Sequence, residues 1–211
     1  MRHTSRLADT GRPAVWTTAD LRAAGYTRWA IGRSVRDGDL QRVRRGRYVR
    51  PGHSEHVLEA ARIGGRLDCV SLLSMLGVFV LQRGEPHVQL EPLASRRPRL
   101  AQGARRHWHP SEAGPNELLV ETVEALAHSV RCQSPRAAIA TLDSAWHLGL
   151  VDEAGIDEVF ARLPGRYRAL RPLLDPRAES GTETLVRLML RTIGCHIQPQ
   201  VRIAGVGRVD F

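Results

Sequence analysis

Arg42, Arg44, Arg45 and Arg47 crowd four guanidiniums into six residues, and Arg28, Arg33 and Arg36 stand shortly before them. A guanidinium grips phosphate through two parallel N–H donors, which an ammonium lacks. Like charges packed this closely cost stability unless something neutralises them. Through residue 52 the chain holds 12 Arg against the 4 acids Asp9, Asp20, Asp37 and Asp39, a net of +8 out of +9 for the whole. The other 159 residues carry 19 Arg and 18 acids and are nearly neutral. Such an end suits the docking of a polyanion, and nucleic acid is the obvious one. All 31 basic residues are Arg, a bias that GC-rich coding explains, and with no Lys the chain has no lysine nucleophile.

Other residues could do chemistry. His107 and His109 are two apart, so on a strand both leave one face and could offer two metal nitrogens. No third ligand announces itself nearby, and an exposed polar face is the simpler reading. Ser180-Gly181-Thr182-Glu183 has the spacing of a capping box, in which the Glu carboxylate reaches back to the cap's backbone N–H. Asp210 sits in the apolar run Val209-Asp210-Phe211, where a carboxylate wants a partner. Cys69, Cys132 and Cys195 are odd in number and more than 60 residues apart. That spacing argues against a disulfide scaffold or a structural zinc site and for a reducing cytoplasm. Cys69 to Leu81 is the longest uncharged apolar run and is too short to cross a bilayer of about 30 Å. No signal segment opens the chain, so no membrane partner is expected.

The elements that must hold the arginines are readable from caps and periodicity. Val15 to Gly25 reads as a short helix with a Thr cap and with Leu21 and Ala24 inward. Thr27 caps a second helix from Arg28 to about Arg36, on which Ile31 and Val35 share a buried stripe while Trp29, Arg33 and Arg36 face the other way. Leu40, Val43, Tyr48 and Val49 suggest two short strands around a tight Arg45-Gly46 turn. Helix, turn, helix and basic hairpin is the layout of a winged helix, whose second helix enters a major groove while the wing follows the backbone. Thr27, Arg28, Arg33, Arg36, Arg42, Arg44, Arg45 and Arg47 form the expected DNA-binding set.

Beyond residue 52 the pattern is mostly helical. Ser54 to Leu81 is apolar and interrupted by Gly64-Gly65; candidate strands His87–Leu90 and Arg105–His109 flank the basic loop 95–99. Helical stripes follow from Asn116, from Ser134-Pro135 and from Gly155-Ile156. A last helix runs from Ser180 to about Thr192, with Leu185, Leu188, Met189 and Ile193 expected inward and Arg187 and Arg191 outward. Two strands, 197–201 and 206–211, close the chain.

Two stretches resemble known families. Trp16 to Pro51, with its Thr-x-x-x-Leu start, Gly-Tyr-Thr turn and Arg-Arg-Gly-Arg-Tyr hairpin, resembles the N-terminal winged-helix domain of AbiEi-type antitoxins. The resemblance implies DNA binding, repression of an operon and a cognate toxin protein as partner. Glu179 to Phe211, with Ser180-x-x-Glu183 and Gly-Arg-Val-Asp-Phe, resembles the start of a Vsr-related restriction-endonuclease-like (PD-(D/E)XK) domain. That resemblance implies Glu183 and Asp210 as catalytic carboxylates, with Asp210 a ligand of Mg²⁺. A further carboxylate-bearing strand and a downstream His belong to the family pattern and have no counterpart before Phe211. Two carboxylate strands are needed to position Mg²⁺ for phosphodiester hydrolysis, so Asp210 alone leaves that site incomplete.

The expectation is an α+β, mainly helical chain in three parts. Residues 1–52 form a winged helix-turn-helix, 53–177 a mostly helical middle with a small β element, and 178–211 the truncated start of an α/β nuclease-like domain. The function expected is double-stranded DNA binding of the antitoxin-like, regulatory kind, without a cofactor. The alternative is a Mg²⁺-dependent endonuclease that continues past Phe211.

Overall fold

Thr17 caps the first helix reciprocally with Asp20. Its hydroxyl accepts from the Asp20 N–H at 3.0 Å, and the Asp20 carboxylate accepts from the Thr17 N–H at 2.8 Å. That pair satisfies two donors that a helix start leaves open. The computed structural model describes residues 13–92, 103–195, 197, 201–203, 205 and 207–209. The protein is an α+β fold, roughly half helical, and it divides into two units. One holds the chain up to Asp68 together with Glu85–Val120; the other holds Cys69–Gly84 together with the chain from Glu121 on.

The first unit begins with β1 (Trp16–Thr17), α1 (Thr18–Ala23), α2 (Arg28–Arg36), β2 (Gln41–Arg44) and β3 (Arg47–Val49). Trp16 and Thr17 are thus a strand, not the first turn of a helix. They pair antiparallel with Tyr48 and Arg47, so the sheet has the order β1-β3-β2. The hairpin turns at Arg45-Gly46, where Gly46 takes φ +70 and its carbonyl accepts from the Thr18 N–H at 3.1 Å. That conformation favours glycine, and the hydrogen bond ties the hairpin tip to the start of α1. Leu21, Tyr26, Ile31 and Leu40 form a small core with Trp16, Ala24, Ala30, Val35 and Tyr48 packed against it.

The unit continues through α3 (Glu55–Ile63) to a second sheet of β4 (Arg66–Leu67), β5 (His87–Leu90) and β6 (Arg105–Trp108). β4 pairs antiparallel with β5, and β5 pairs parallel with β6, His87 opposite Arg105 and Gln89 opposite His107. Residues 13–15 and 116–118 run alongside one another through the Val15 N–H to Asn116 carbonyl and Leu118 N–H to Pro13 carbonyl bonds. This pairing places segments from both ends of the unit side by side.

The second unit is helical: α4 (Cys69–Met75), α5 (Thr122–Cys132), α6 (Pro135–His147), α7 (Glu153–Ala161), a 3₁₀ helix (Gly165–Leu173) and α8 (Gly181–Thr192). A two-stranded ribbon follows, β7 (Val201–Ile203) with β8 (Gly207–Val209). Leu126, Ile139, Leu142 and Ile156 are fully buried at its centre. Ser134 caps α6 through the Ala137 N–H at 3.5 Å, with Pro135 at the first helical position as its sequence suggests. The seams at 68/69, 84/85 and 120/121 differ from the segment boundaries at 52/53 and 177/178 that composition suggests. The physical reason is pairing between distant segments: residues 116–118 run beside residues 13–15, and α8 packs on α6.

Candidate nucleic-acid interface

Helix α2 carries the first group of arginines. Thr27 is its cap, the hydroxyl accepting from the Ala30 N–H at 3.1 Å. At 100° per residue, Arg28, Gly32, Arg36, Trp29 and Arg33 fall in one arc of about 140°. Ile31 and Ser34 are buried on the other side, beside Ala30 and Val35 on the core. Arg28, Arg33 and Arg36 are exposed, and so is Trp29, with 66% of its surface open. A tryptophan left this open in the middle of a basic arc has a large apolar face and no core to bury it in. The Arg33 guanidinium lies 5.5 Å from the Trp29 ring centroid and 3.2 Å from Asp37. Both contacts are at the surface, where such an ion pair adds little. Among the described residues, no carboxylate stands within ion-pair distance of Arg28 or Arg36.

The hairpin separates its arginines. Arg45 stands exposed at the turn, and Arg42 is exposed on β2 with its Nε 3.4 Å from the Arg44 carbonyl. A register irregularity between Arg42 and Arg44 brings Arg44 opposite Arg47 across the hairpin. Arg44, still exposed on one side, and the half-buried Arg47 line an open cleft of about 260 Å³ with Arg66, Gly64, Asn116 and Glu117. Burial, and then the nearby Arg47, hold Arg44 below the usual guanidinium range. The eight residues expected at DNA therefore sort into an outward arc on α2 (Arg28, Arg33, Arg36), a hairpin edge and tip (Arg42, Arg45), a cleft pair (Arg44, Arg47) and a cap (Thr27). Trp29 was readable as outward-facing but carried no assigned role; its exposure among the arginines singles it out.

Of the two carboxylates implied by the nuclease resemblance, the structure describes Glu183 alone. Asp210 lies outside the described residues, as does the basic loop 95–99. Glu183 caps α8: its carboxylate accepts from the Ser180 hydroxyl at 2.7 Å and the Glu179 N–H at 3.0 Å, while its own N–H donates to Ser180 Oγ at 3.2 Å. The carboxylate thus reaches the residue before the cap rather than the cap's own N–H.

The face assignment of α8 needs correction. Arg187, expected outward, is buried, and Met189 and Ile193, expected inward, are 52% and 71% exposed. The cause is a buried acid on α6. Asp143 Oδ2 accepts from Arg187 Nη2 at 2.8 Å and from the Thr184 hydroxyl at 2.9 Å, and its Oδ1 accepts from the Asp175 N–H at 2.8 Å. Burial pushes the Asp143 carboxyl up to about 6 against the pull of these donors. A buried carboxylate on α6, with Arg187 its ion-pair partner among the described residues, turns the Arg187 face of α8 inward against the apolar periodicity.

The histidines part company. His107 Nε2 approaches His87 Nδ1 at 3.1 Å, whereas His109 Nε2 lies 3.2 Å from the buried Asp68 carboxylate. Both are half-buried instead of forming an exposed face. Two facing imidazole nitrogens can share a proton or a borderline metal ion. They are poor ligands for Mg²⁺, which takes oxygen donors.

No family model matches the chain, and no curated protein sequence does. Among solved structures the chain is similar to the RV2827C protein from Mycobacterium tuberculosis, at 20% identity and a TM-score of 0.40, over 95% of this chain and 83% of that one. The likeness is distant. Among the described residues, no helix is long and apolar enough to cross a membrane.

Proposed function

We propose that the protein binds double-stranded DNA through its N-terminal segment, which we read as a winged helix. On this reading α2 enters the major groove with Arg28, Arg33, Arg36 and Trp29 forward, and the β2–β3 hairpin lies along the sugar-phosphate backbone as the wing. The observation that carries it is the α2 arc, where three exposed arginines surround an exposed tryptophan and the apolar residues face the core. Arginines of this kind bind phosphate whatever the sequence, and can also fork onto guanine O6 and N7. Trp29 offers apolar contact to a thymine methyl or a sugar. The resemblance to AbiEi-type antitoxins supports a regulatory role on this DNA-binding base, with a cognate toxin as a second partner and the cytoplasm as the place of action.

The Mg²⁺-dependent endonuclease alternative draws no support from Glu183, whose carboxylate is taken up by its own helix cap. A gel-shift salt titration on duplex DNA tests the proposal. If about six phosphates are neutralised, log K should fall against log salt with a slope near −5. A flat response contradicts DNA binding by phosphate neutralisation.

A further inference from the structure

The cleft beside the hairpin is built differently from the open arc on α2. Arg44 and Arg47 sit opposite one another in neighbouring strands, an arrangement that destabilises a sheet by like-charge repulsion. Among the described residues no carboxylate lies within ion-pair distance of either. Gly64, at φ +90, leaves open the space that the Arg44 guanidinium fills; a Cβ there would collide with Arg44 Nη1. The third cation, Arg66, is 9% exposed and partly satisfied. Its Nη1 donates to Gln89 Oε1 and Glu91 Oε1, both at 2.9 Å, and its Nη2 to the Ala113 and Gly114 carbonyls. Its Nε is buried and has no hydrogen-bond partner. An unmade hydrogen bond on a buried cation is costly. The acids of the lining are Glu91, which is tied to Arg66, and Glu117.

From these features we infer that the cleft binds a small phosphate-bearing anion, seated between the Arg44 and Arg47 guanidiniums with Arg66 at its back. Two guanidiniums lining one cleft suit the tetrahedral oxygens of phosphate. A cleft of about 260 Å³ has room for one phosphate and a small attached group. The site stands whether or not the hairpin meets DNA.

Isothermal titration of the full chain with inorganic phosphate, at constant ionic strength set with chloride, tests this without DNA. Saturable one-site binding is expected. Arg44→Gln or Arg47→Gln should weaken it by about tenfold or more, as loss of a charge-assisted hydrogen bond does. Arg42→Gln and Arg45→Gln remove the same charge from the same hairpin and should leave the affinity within about twofold. In the unaltered protein, phosphate should shift the amide NMR signals of Gly64, Gly65 and Asn116. Absence of saturable binding, equal weakening by all four variants, or amide shifts confined to α2 would each overturn the assignment. The NMR arm keeps the test decisive should a cleft variant fail to fold.

Discussion

Arginine is put to opposite uses in the head segment, residues 13–52, and in the helical second unit. In the first, Arg28, Arg36, Arg42 and Arg45 are exposed with no acid in ion-pair reach among the described residues. In the second, Arg187 is buried on Asp143, Arg171 bridges Asp157 at 2.9 Å and Glu153 at 3.4 Å beneath the Trp146 ring, and Arg177 pairs with Asp175 at 2.7 Å. Residue type alone therefore says nothing about role. What separates the uses is the local supply of carboxylates, 4 through residue 52 against 18 in the rest. An arginine with acids nearby fastens helices to one another; an arginine without them leaves its charge available to a partner.

The largest effect expected from this contrast is at Asp143. Asp143→Ala leaves Arg187 buried without its counter-charge and should lower unfolding free energy by about 3–5 kcal/mol. Urea denaturation measures it, and a loss under about 1 kcal/mol would mean the pair does not fasten α6 to α8. Its pH dependence has a definite sign. Because the folded carboxyl titrates at about 6 rather than 3.8, the native state takes up this proton before the unfolded chain does. The proton-linked part of the stability is therefore fully present below about pH 4, where the folded carboxyl is neutral, and is lost as pH rises through about 6 and the charged pair with Arg187 forms. Asp143→Asn should flatten that component of the stability profile; an unchanged profile would locate the titration elsewhere.

Trp29 gives the next effect, in the other unit. With 66% of its surface open it contributes little to the core. Trp29→Ala should thus leave stability within about 0.5 kcal/mol while weakening specific DNA binding by about 1–3 kcal/mol. Equal losses in both would make Trp29 a folding residue. The smallest effect is expected at Asp37, whose exposed pair with Arg33 is worth no more than about 1 kcal/mol. Asp37→Asn should barely move the thermal midpoint and should tighten DNA binding slightly, because it frees Arg33 and removes a negative charge. Weaker binding would place Asp37 among the contacts that orient Arg33.

Helix α2 and the β2–β3 hairpin are legible in the sequence because their signals are local: Thr27 as a cap, Ile31 on a buried stripe, Gly46 in a turn. The strand at Trp16–Thr17 was not, since two residues carry no period of their own and their partner lies thirty residues on. Arg187 illustrates the same limit. Leu188 was placed correctly, but Met189, Ile193 and Arg187 were not, because Asp143 is 44 residues away in sequence and no helical wheel includes it. The cleft arose from a register irregularity between Arg42 and Arg44, together with Gly64 and Arg66 arriving from another segment. A run of four arginines gives no hint that two turn aside.

Salt dependence of DNA binding in two charge-matched double variants tests most directly whether the head segment supplies the phosphate contacts. Arg36→Gln with Arg45→Gln removes two charges from the first unit; Arg136→Gln with Arg168→Gln removes two exposed charges from the second. The first pair should reduce the steepness of log K against log salt by about 2, and the second should leave it unchanged. Equal slopes for the two variants would contradict the account.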